Sequence, residues 1–188
     1  MRLYVPDSVE HHTETLSPRE LFTAVPAFLN LSKLYARPGF LLRRAHQISA
    51  AVFEDECRGV GLTAAQFGVL SVLRARPGMD QSSLARALGF DKVTVLRVLR
   101  GLEGRGLIER APSPTSRRNL AISLSVAGLD LLNQAQEPAE RAYGRLMAPL
   151  NEQQRIQLVA LLQLLTEGLE GDARASFVPE SRTSDKAR

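Results

Sequence analysis

The chain has 188 residues, 44% of them hydrophobic, with one cysteine, no tryptophan and a formal net charge of +4. This length predicts one domain or a small pair with a real core, and a single cysteine excludes an intrachain disulfide and fits a reducing compartment. The sequence contains no apolar run that could span a membrane and no apolar signal-peptide core near its start, so we expect a soluble cytoplasmic protein with no membrane partner.

Positive charge is concentrated in the middle of the chain. Residues 62–125 carry one lysine and nine arginines against four carboxylates, a balance of +6, so the other residues sum to about −2. A basic block inside a near-neutral chain indicates a polyanionic partner rather than a general device for solubility.

Two helical segments are predicted before the basic block. Ser17 opens the first with a capping signal, and Pro26 interrupts it. The second runs from Pro38 to about Arg58, and its apolar residues gather on one arc at the 100° step of a helix. That arc, predicted to be buried, consists of Leu41, Leu42, Ala45, Ile48, Ser49, Val52 and Phe53.

The basic block begins with three capped helices. Thr63 starts the first with a capping box, Asp80 caps a short second helix that Gly89 ends, and Asp91 caps the third. Two helices joined by a glycine-containing turn form a helix-turn-helix, whose second helix enters the major groove of DNA. Two surface helices of an unrelated bundle are the alternative interpretation of this segment.

The helix that follows Asp91 has two chemically different sides. Val93, Arg97 and Arg100 lie on one side, which is cationic. The opposite side is apolar and is predicted to be core; it consists of Val95, Val98, Leu99 and Leu102.

After Gly106 the hydrophobic period changes from 3.6 to 2. Short strands are predicted at 107–110 and 120–124, and a proline-containing loop that ends in Arg117 and Arg118 joins them. This pattern predicts a β-wing. The expected fold class is therefore mainly α with a small β-wing, a winged helix-turn-helix lobe flanked by N- and C-terminal dimerisation helices.

Two long helices follow the wing. Ser125 caps the first, which Pro138 should kink, and Asn151 opens the last. Apolar side chains from Ile156 to Leu169 cover more than one side of the last helix, which suggests a subunit interface. The chain thus divides into a flexible arm, N-terminal dimerisation helices, a DNA-binding lobe, C-terminal dimerisation helices and a disordered tail, at residues 1–16, 17–61, 62–125, 126–170 and 171–188.

Three segments resemble the MarR family of winged helix-turn-helix regulators. LTAAQFGVLSVL is similar to the family's "LT-x-x-Q-F-x-V-L", LARALGFDKVTVLRVLRGLEGRGLIER to its "LA-x-x-L-x-x-D-x-x-T-V-x-R-x-V-x-x-LE-x-x-GL-x-x-R", and SRRNLAISLSVAG to the wing and its exit. Ser116 departs from the pattern by replacing the wing Asp that would orient Arg118. Val93 and Leu96 replace polar residues, which implies a different base preference.

The resemblance implies a transcriptional regulator, more specifically a repressor, that binds a pseudo-palindromic double-stranded DNA operator as a homodimer. The long N-terminal extension is similar to that of members that respond to aromatic carboxylates, including repressors of aromatic-acid and nicotinate breakdown. The expected effector is therefore a small aromatic carboxylate, such as a hydroxylated nicotinate or benzoate, that releases the DNA.

The expected DNA contacts come from the cationic helix side and from the wing. Arg97 and Arg100 suit bidentate pairing with guanine or binding of phosphate, and Arg118 suits the narrow minor groove. A solvated helix side and simple neutralisation of phosphate by the wing are the alternatives. The full expected set is Lys92, Val93, Thr94, Leu96, Arg97, Arg100, Arg117 and Arg118.

The resemblance also implies an effector site between the dimer helices and the DNA-binding lobe. A cation and an imidazole would suit an organic acid there, although a lone histidine at the edge of a helix arc is also common on an ordinary surface. The expected lining is Arg43, Arg44, His46, Phe53, Gln66 and Phe67.

Cys57 is the residue on which a competing function depends, because some members of the family sense peroxide with a thiol. Its neighbours Asp55 and Glu56 would raise rather than lower the pKa of a thiol, which favours a structural cysteine. The sequence contains no phosphate-binding loop, metal-ligand spacing or nucleophile–base motif, so we expect no enzyme, metal or cofactor. A thiol-redox-responsive regulator and a protein-interaction module using the leucine-rich C-terminal helix remain the alternatives.

Overall fold

The computed structural model describes residues 31–113 and 120–178, and it confirms a mainly helical fold with a two-stranded wing. The helices are α1 (Leu31–Tyr35), α2 (Pro38–Glu56), α3 (Ala64–Ala75), α4 (Gln81–Leu88), α5 (Lys92–Gly104), α6 (Val126–Met147) and α7 (Glu152–Gly168). The strands are β1 (Ile108–Pro112) and β2 (Leu120–Leu124), and a 3-10 turn, Glu170–Asp172, follows α7. None of the described helices is both long enough and apolar enough to cross a lipid bilayer.

The described residues divide into two units, with the boundary between Leu41 and Leu42. In the first unit, the rings of Tyr35 and Phe40 lie 5.2 Å apart. The winged helix-turn-helix lobe and the sites described below belong to the second unit.

The helix starts predicted within the described residues are confirmed, at Thr63, Asp80, Asp91, Ser125 and Asn151. Thr63 and Asn151 form complete capping boxes, and the carboxylates of Asp80 and Asp91 each accept a backbone N–H at 2.7 Å. Gly89 ends α4 at φ +63°, a left-handed conformation that favours glycine. The helix-turn-helix therefore follows from local hydrogen bonds that the sequence predicts.

A single cluster of apolar side chains holds the lobe together. The four residues predicted to form the buried side of α5 are all buried, and they pack with residues of α3, α4 and both strands. The fully buried members of largest volume include Leu70, Leu73, Leu84, Leu99, Leu102 and Ile122.

The wing is fixed at its base on both sides. β1 and β2 pair antiparallel, with Ile108 opposite Leu124. Ile122 of β2 donates its N–H to the carbonyl of Met79 and accepts the N–H of Gly78, both at 2.9 Å. These bonds join β2 to the segment just before α4, so the base of the wing is tied to the helix-turn-helix.

The first turn of α6 lies directly on the backbone that leads into β1. Ser125 caps α6 by accepting the N–H of Gly128, and it donates its own N–H to the carbonyl of Leu107. A Cβ built on Gly128 would lie 1.9 Å from that carbonyl oxygen, so only glycine permits this approach.

Two helices of the second unit expose apolar surface. The predicted burial of the α2 arc is wrong for the single chain: no side chain of α2 is buried, and Leu42 and Ile48 are each 43% exposed. No side chain of α7 is buried either, and Leu161 and Leu164 are 63% and 69% exposed. This chain covers only part of the α2 arc, since Ser49, Val52 and Phe53 are half-buried and Phe53 lies beside Phe67 of α3.

The last two elements of the chain are joined to the lobe by a few specific contacts. α6 runs from Val126 to Met147 with Pro138 inside it, and the kink predicted at Pro138 stays a prediction. After α7, Phe177 donates its N–H to Glu170 and Val178 donates its N–H to the carbonyl of Arg86 on α4, while the predicted disorder of the tail stays a prediction. The predictions for residues 1–16, for the helix start at Ser17 and for 179–188 lie outside the described residues.

Candidate nucleic-acid interface and effector cavity

The outward side of α5 collects six of the eight residues predicted to contact DNA. Val93 is 77% exposed, and Lys92, Arg97 and Arg100 are exposed as well. Thr94 and Leu96 are half-buried, so Leu96 packs partly against the lobe whereas Val93 is open to a partner. The other two residues, Arg117 and Arg118, together with Ser116, lie outside the described residues.

Four arginines of the basic block fall into two groups. Arg105 donates to the carbonyl of Gly61 at 2.7 Å, and the largely buried Arg110 pairs with Glu103 at 3.1 Å, so these two hold the lobe together. Arg97 and Arg100 form no salt bridge within residues 31–113 and 120–178. Their charge is therefore available to a polyanion.

The start of α5 carries a local negative charge of its own. Hydrogen bonds from the backbone N–H and the hydroxyl of Thr94, supported by Val93 and the nearby Arg97, hold the pKa of the Asp91 carboxyl below its usual range. The Thr94 hydroxyl donates its proton to Asp91 at 3.0 Å. The Thr94 hydroxyl can then only accept a hydrogen bond from a base or a sugar.

A cavity of about 420 Å³ lies between α2, α3 and α6. Its size is within the usual range for small-molecule sites of roughly 300–1,000 Å³. The rings of Phe53 and Phe67 are 5.5 Å apart with planes tilted by 56°, and they form an aromatic wall. The lining consists of Ser49, Phe53, Phe67, Ala139, Glu140, Ala142, Tyr143 and Leu146.

Phe53 and Phe67 are the two predicted effector residues that the cavity brings together. Arg43, Arg44 and His46 are exposed and lie outside the lining. At about 100° per residue, His46 shares the side of α2 that bears Phe53, two turns earlier, whereas Arg44 lies roughly opposite.

Gln66 is also outside the lining. Its side-chain oxygen accepts the N–H of Thr63 at 3.0 Å and completes the capping box. Its amide nitrogen is directed at Gly101 of α5, where an added Cβ would lie 3.5 Å away. The side chain therefore contacts the recognition helix rather than the cavity.

Sequence reasoning missed the α6 side of the cavity. Ala139, Ala142, Tyr143 and Leu146 recur at intervals of three and four residues, which places them on one side of a helix. The spacing alone predicts that these residues share one side of a helix, but it does not identify the helix against which that side packs.

Ion pairs join the far end of α2 to α6. Arg145 contacts Asp55 at 2.6 Å and Glu56 at 3.1 Å, and Arg141 contacts Glu56 at 3.3 Å. The hydrogen bond and the charge of Arg145 lower the pKa of Asp55, and the same contacts raise the pKa of Arg145. Since the partners are partly exposed, each pair contributes little to stability by itself, but together they fix the spacing of two cavity walls.

Cys57 lies at the end of α2 and is fully buried. Burial raises the pKa of its thiol first, the charge of Glu56 raises it further, and Arg141 opposes these effects. A thiol that is both inaccessible and held protonated is poorly suited to react with peroxide.

Comparison with known proteins gives a consistent result. Residues 62–120 match the model described as the MarR family. The chain is 33% identical over 138 residues to the HTH-type transcriptional repressor NicR of Pseudomonas putida, an alignment that covers 73% of this chain and 85% of that protein.

Two solved structures are also similar. The transcriptional repressor CouR bound to a 23-mer DNA duplex has a TM-score of 0.67 and 33% identity, over 74% of this chain and 99% of that one. The second structure, of Bordetella bronchiseptica BpsR, concerns the regulation of its DNA binding by 6-hydroxynicotinic acid. It has a TM-score of 0.66 and 31% identity, over 70% of this chain and 94% of that one.

Proposed function

The chain belongs to the MarR family of transcriptional regulators, and from that premise we propose that it is a ligand-responsive repressor. As a homodimer it binds pseudo-palindromic duplex DNA and leaves the DNA when a small aromatic acid binds. A twofold dimer presents two recognition helices to one face of DNA, which requires half-sites about one helical turn apart.

The observation that carries the DNA-binding part is the outward side of α5. Two arginines without carboxylate partners among the described residues flank an apolar side chain, Val93, that is 77% exposed. Arg97 and Arg100 supply donors for guanine or phosphate, and Val93 supplies a methyl surface for thymine. In this proposal Lys92 contacts the phosphates, Thr94 accepts a hydrogen bond from a base or a sugar, and Arg117 and Arg118 enter the minor groove beside the half-site.

The test begins with selection of a high-affinity duplex from a random library. We expect affinity for it to fall by about 10³ to 10⁵ between 50 and 200 mM salt if about 6 to 10 phosphates are neutralised. Arg97→Ala should relax the base preference at one position of each half-site. Arg58→Ala is the matched control. It removes the same charge from a side chain that is 81% exposed and lies outside the helix-turn-helix, just after α2. If both variants select the same sequence as wild type, Arg97 does not read bases.

The apolar faces of α2 and α7 support the dimer. Exposed leucines on a helix with no buried residue cost solvation free energy in a monomer, and a second copy of the chain removes that cost. We expect a light-scattering mass of twice 20.6 kDa at micromolar concentration. A mass of 20.6 kDa under those conditions would contradict this part of the proposal.

The cavity between α2, α3 and α6 is the proposed effector site. Phe53 and Phe67 form an aromatic wall against which a flat ring can pack, and His46 lies on the same side of α2 as Phe53, where its imidazole can donate a hydrogen bond to a carboxylate. Arg43 and Arg44 add positive potential around that helix, and Gln66 transmits a change in α3 to α5 through its place beside Gly101.

A thermal-shift screen of aromatic acids tests this site. At least one hydroxylated benzoate or nicotinate should raise the melting temperature and release DNA, and His46→Ala should require more of it. Arg58→Ala is again the control. If no acid raises the melting temperature, the effector assignment is wrong, whatever the DNA experiments show.

A further inference from the structure

The effector cavity has an uneven distribution of polar groups. Among its described lining residues, Glu140 is the only charged one, and the hydroxyls of Ser49 and Tyr143 are the other polar side-chain groups. The remaining wall is aromatic and aliphatic. Among these lining residues, an effector therefore contacts apolar surface, two hydroxyls and one carboxylate, that of Glu140.

The charge of Glu140 is not neutralised by the arginines that lie near it in sequence. Arg141 pairs with Glu137 at 3.0 Å and with Glu56 at 3.3 Å, and Arg145 pairs with carboxylates of α2. No salt bridge to Glu140 is formed by the residues that the structure describes. Glu140 is thus an acceptor-only group at the cavity, and like Glu137 it is exposed and available to a donor.

An ionised carboxylate accepts hydrogen bonds and repels another carboxylate. If a ring with a single carboxylate binds so that this group approaches Glu140, the like charges oppose binding. If the ring also carries a hydroxyl or a ring N–H, that donor can face Glu140 in a charge-assisted hydrogen bond while the carboxylate points elsewhere.

We infer that Glu140 is the specificity-determining residue of this cavity, and that it selects aromatic acids bearing a ring hydroxyl or ring N–H over the unsubstituted acid. This inference rests on the proposed effector site, and it assigns to α6 a role in recognition that the α2 cations cannot perform. Phe53 and Phe67 contact any flat ring, and His46 attracts any carboxylate. Among the described lining residues, Glu140 is the only charged acceptor, and a charged acceptor distinguishes a ring with a donor from a ring without one more strongly than the hydroxyls of Ser49 and Tyr143 do.

The experiment compares benzoate with the 2-, 3- and 4-hydroxybenzoates on the full-length protein by titration calorimetry. Wild type should bind at least one hydroxybenzoate about tenfold or more tightly than benzoate, as expected for a hydrogen bond to a charged acceptor. In Glu140→Ala the ratio should fall to within about twofold. Glu140→Gln should keep part of the ratio, because its amide oxygen still accepts, and should bind benzoate more tightly than wild type because the repulsion is gone.

Glu137→Gln is the matched control. It removes the same charge from the same helix, at a position that is exposed and outside the lining, and it should leave every ratio unchanged. Equal binding of benzoate and all three hydroxybenzoates by wild type would overturn the inference and leave the effector site standing, as would an unchanged ratio in Glu140→Ala. If none of the acids binds to wild type, the effector site itself fails and the inference fails with it.

Discussion

Replacement of Gly128 by alanine is the most direct test of the packing described above. The new Cβ would lie 1.9 Å from the carbonyl oxygen of Leu107, and separations below 3.0 Å are essentially never seen for real Cβ atoms. The first turn of α6 must therefore move by about 1 Å from the segment that leads into β1. The atom in the way belongs to the backbone, so no side-chain rotation relieves the contact.

The expected loss follows from two opposing effects. Forcing an extra methyl group into a well-packed site typically costs about 1–3 kcal/mol. Alanine gains up to about 1 kcal/mol over glycine in a helix. We therefore expect Gly128→Ala to lower the free energy of unfolding by about 1–2 kcal/mol, which is a drop of roughly 2–8 °C in melting temperature for a chain of this size.

The assay is urea denaturation followed by circular dichroism at one fixed protein concentration, because a dimer's stability depends on concentration. Gly144→Ala is the control: Gly144 lies in the same helix, and its added Cβ would meet nothing within 4 Å. That variant should be as stable as wild type or more stable. If Gly128→Ala is also as stable as wild type, α6 does not approach Leu107 as described.

Three further predictions concern other parts of the chain. Cys57 should react with a thiol reagent far more slowly in the native protein than in the urea-unfolded protein, because it is buried and its pKa is raised; comparable rates would revive the redox alternative. Asp80→Ala should cost about 0.5–2 kcal/mol at neutral pH through loss of the α4 cap. The backbone N–H of Ser83 lowers the pKa of Asp80, so this contribution is present above the unfolded value of about 3.9 and is lost as the pH falls through the lower folded value; the two denaturation curves should converge toward pH 3. Removal of residues 173–188 should lower the melting temperature, because Val178 no longer bonds to Arg86, whereas removal of 179–188 alone should not; equal melting temperatures would mean that the tail contributes no stability.

The sequence predicted the helix-turn-helix well because its determinants are local. Asp80 and Asp91 cap helices through bonds to residues three positions later, and Gly89 adopts the conformation that its own backbone allows. The buried side of α5 follows from a periodicity that needs no knowledge of the partner. Each of these features is contained within one turn or one helix.

The features that the sequence did not predict all involve contacts between distant segments. Gly128 needs its neighbour Leu107, and Arg145 pairs with Asp55 across 90 positions. Glu140 could be placed on a helix, but its position at a cavity depends on how α6 packs beside α2 and α3. The predicted burial of the α2 arc failed for a related reason, since periodicity identifies an apolar face and does not say whether the same chain covers it.

The cavity and the recognition helix share one element, α3. Phe67 of α3 lines the cavity, while Leu70 and Leu73 of the same helix are fully buried in the cluster that contains Leu99 of α5. Because the interior is close-packed, α3 cannot shift at Phe67 without moving the side chains against which its other residues pack. A ligand that packs against Phe67 in the cavity would therefore alter α5 through α3. It lowers DNA affinity only if it binds the DNA-incompetent arrangement more tightly, and a tenfold preference corresponds to about 1.4 kcal/mol. A small displacement of a helix that contacts base edges is enough to lose about 1.4 kcal/mol of binding free energy, since one good bidentate base contact is worth about 1–3 kcal/mol.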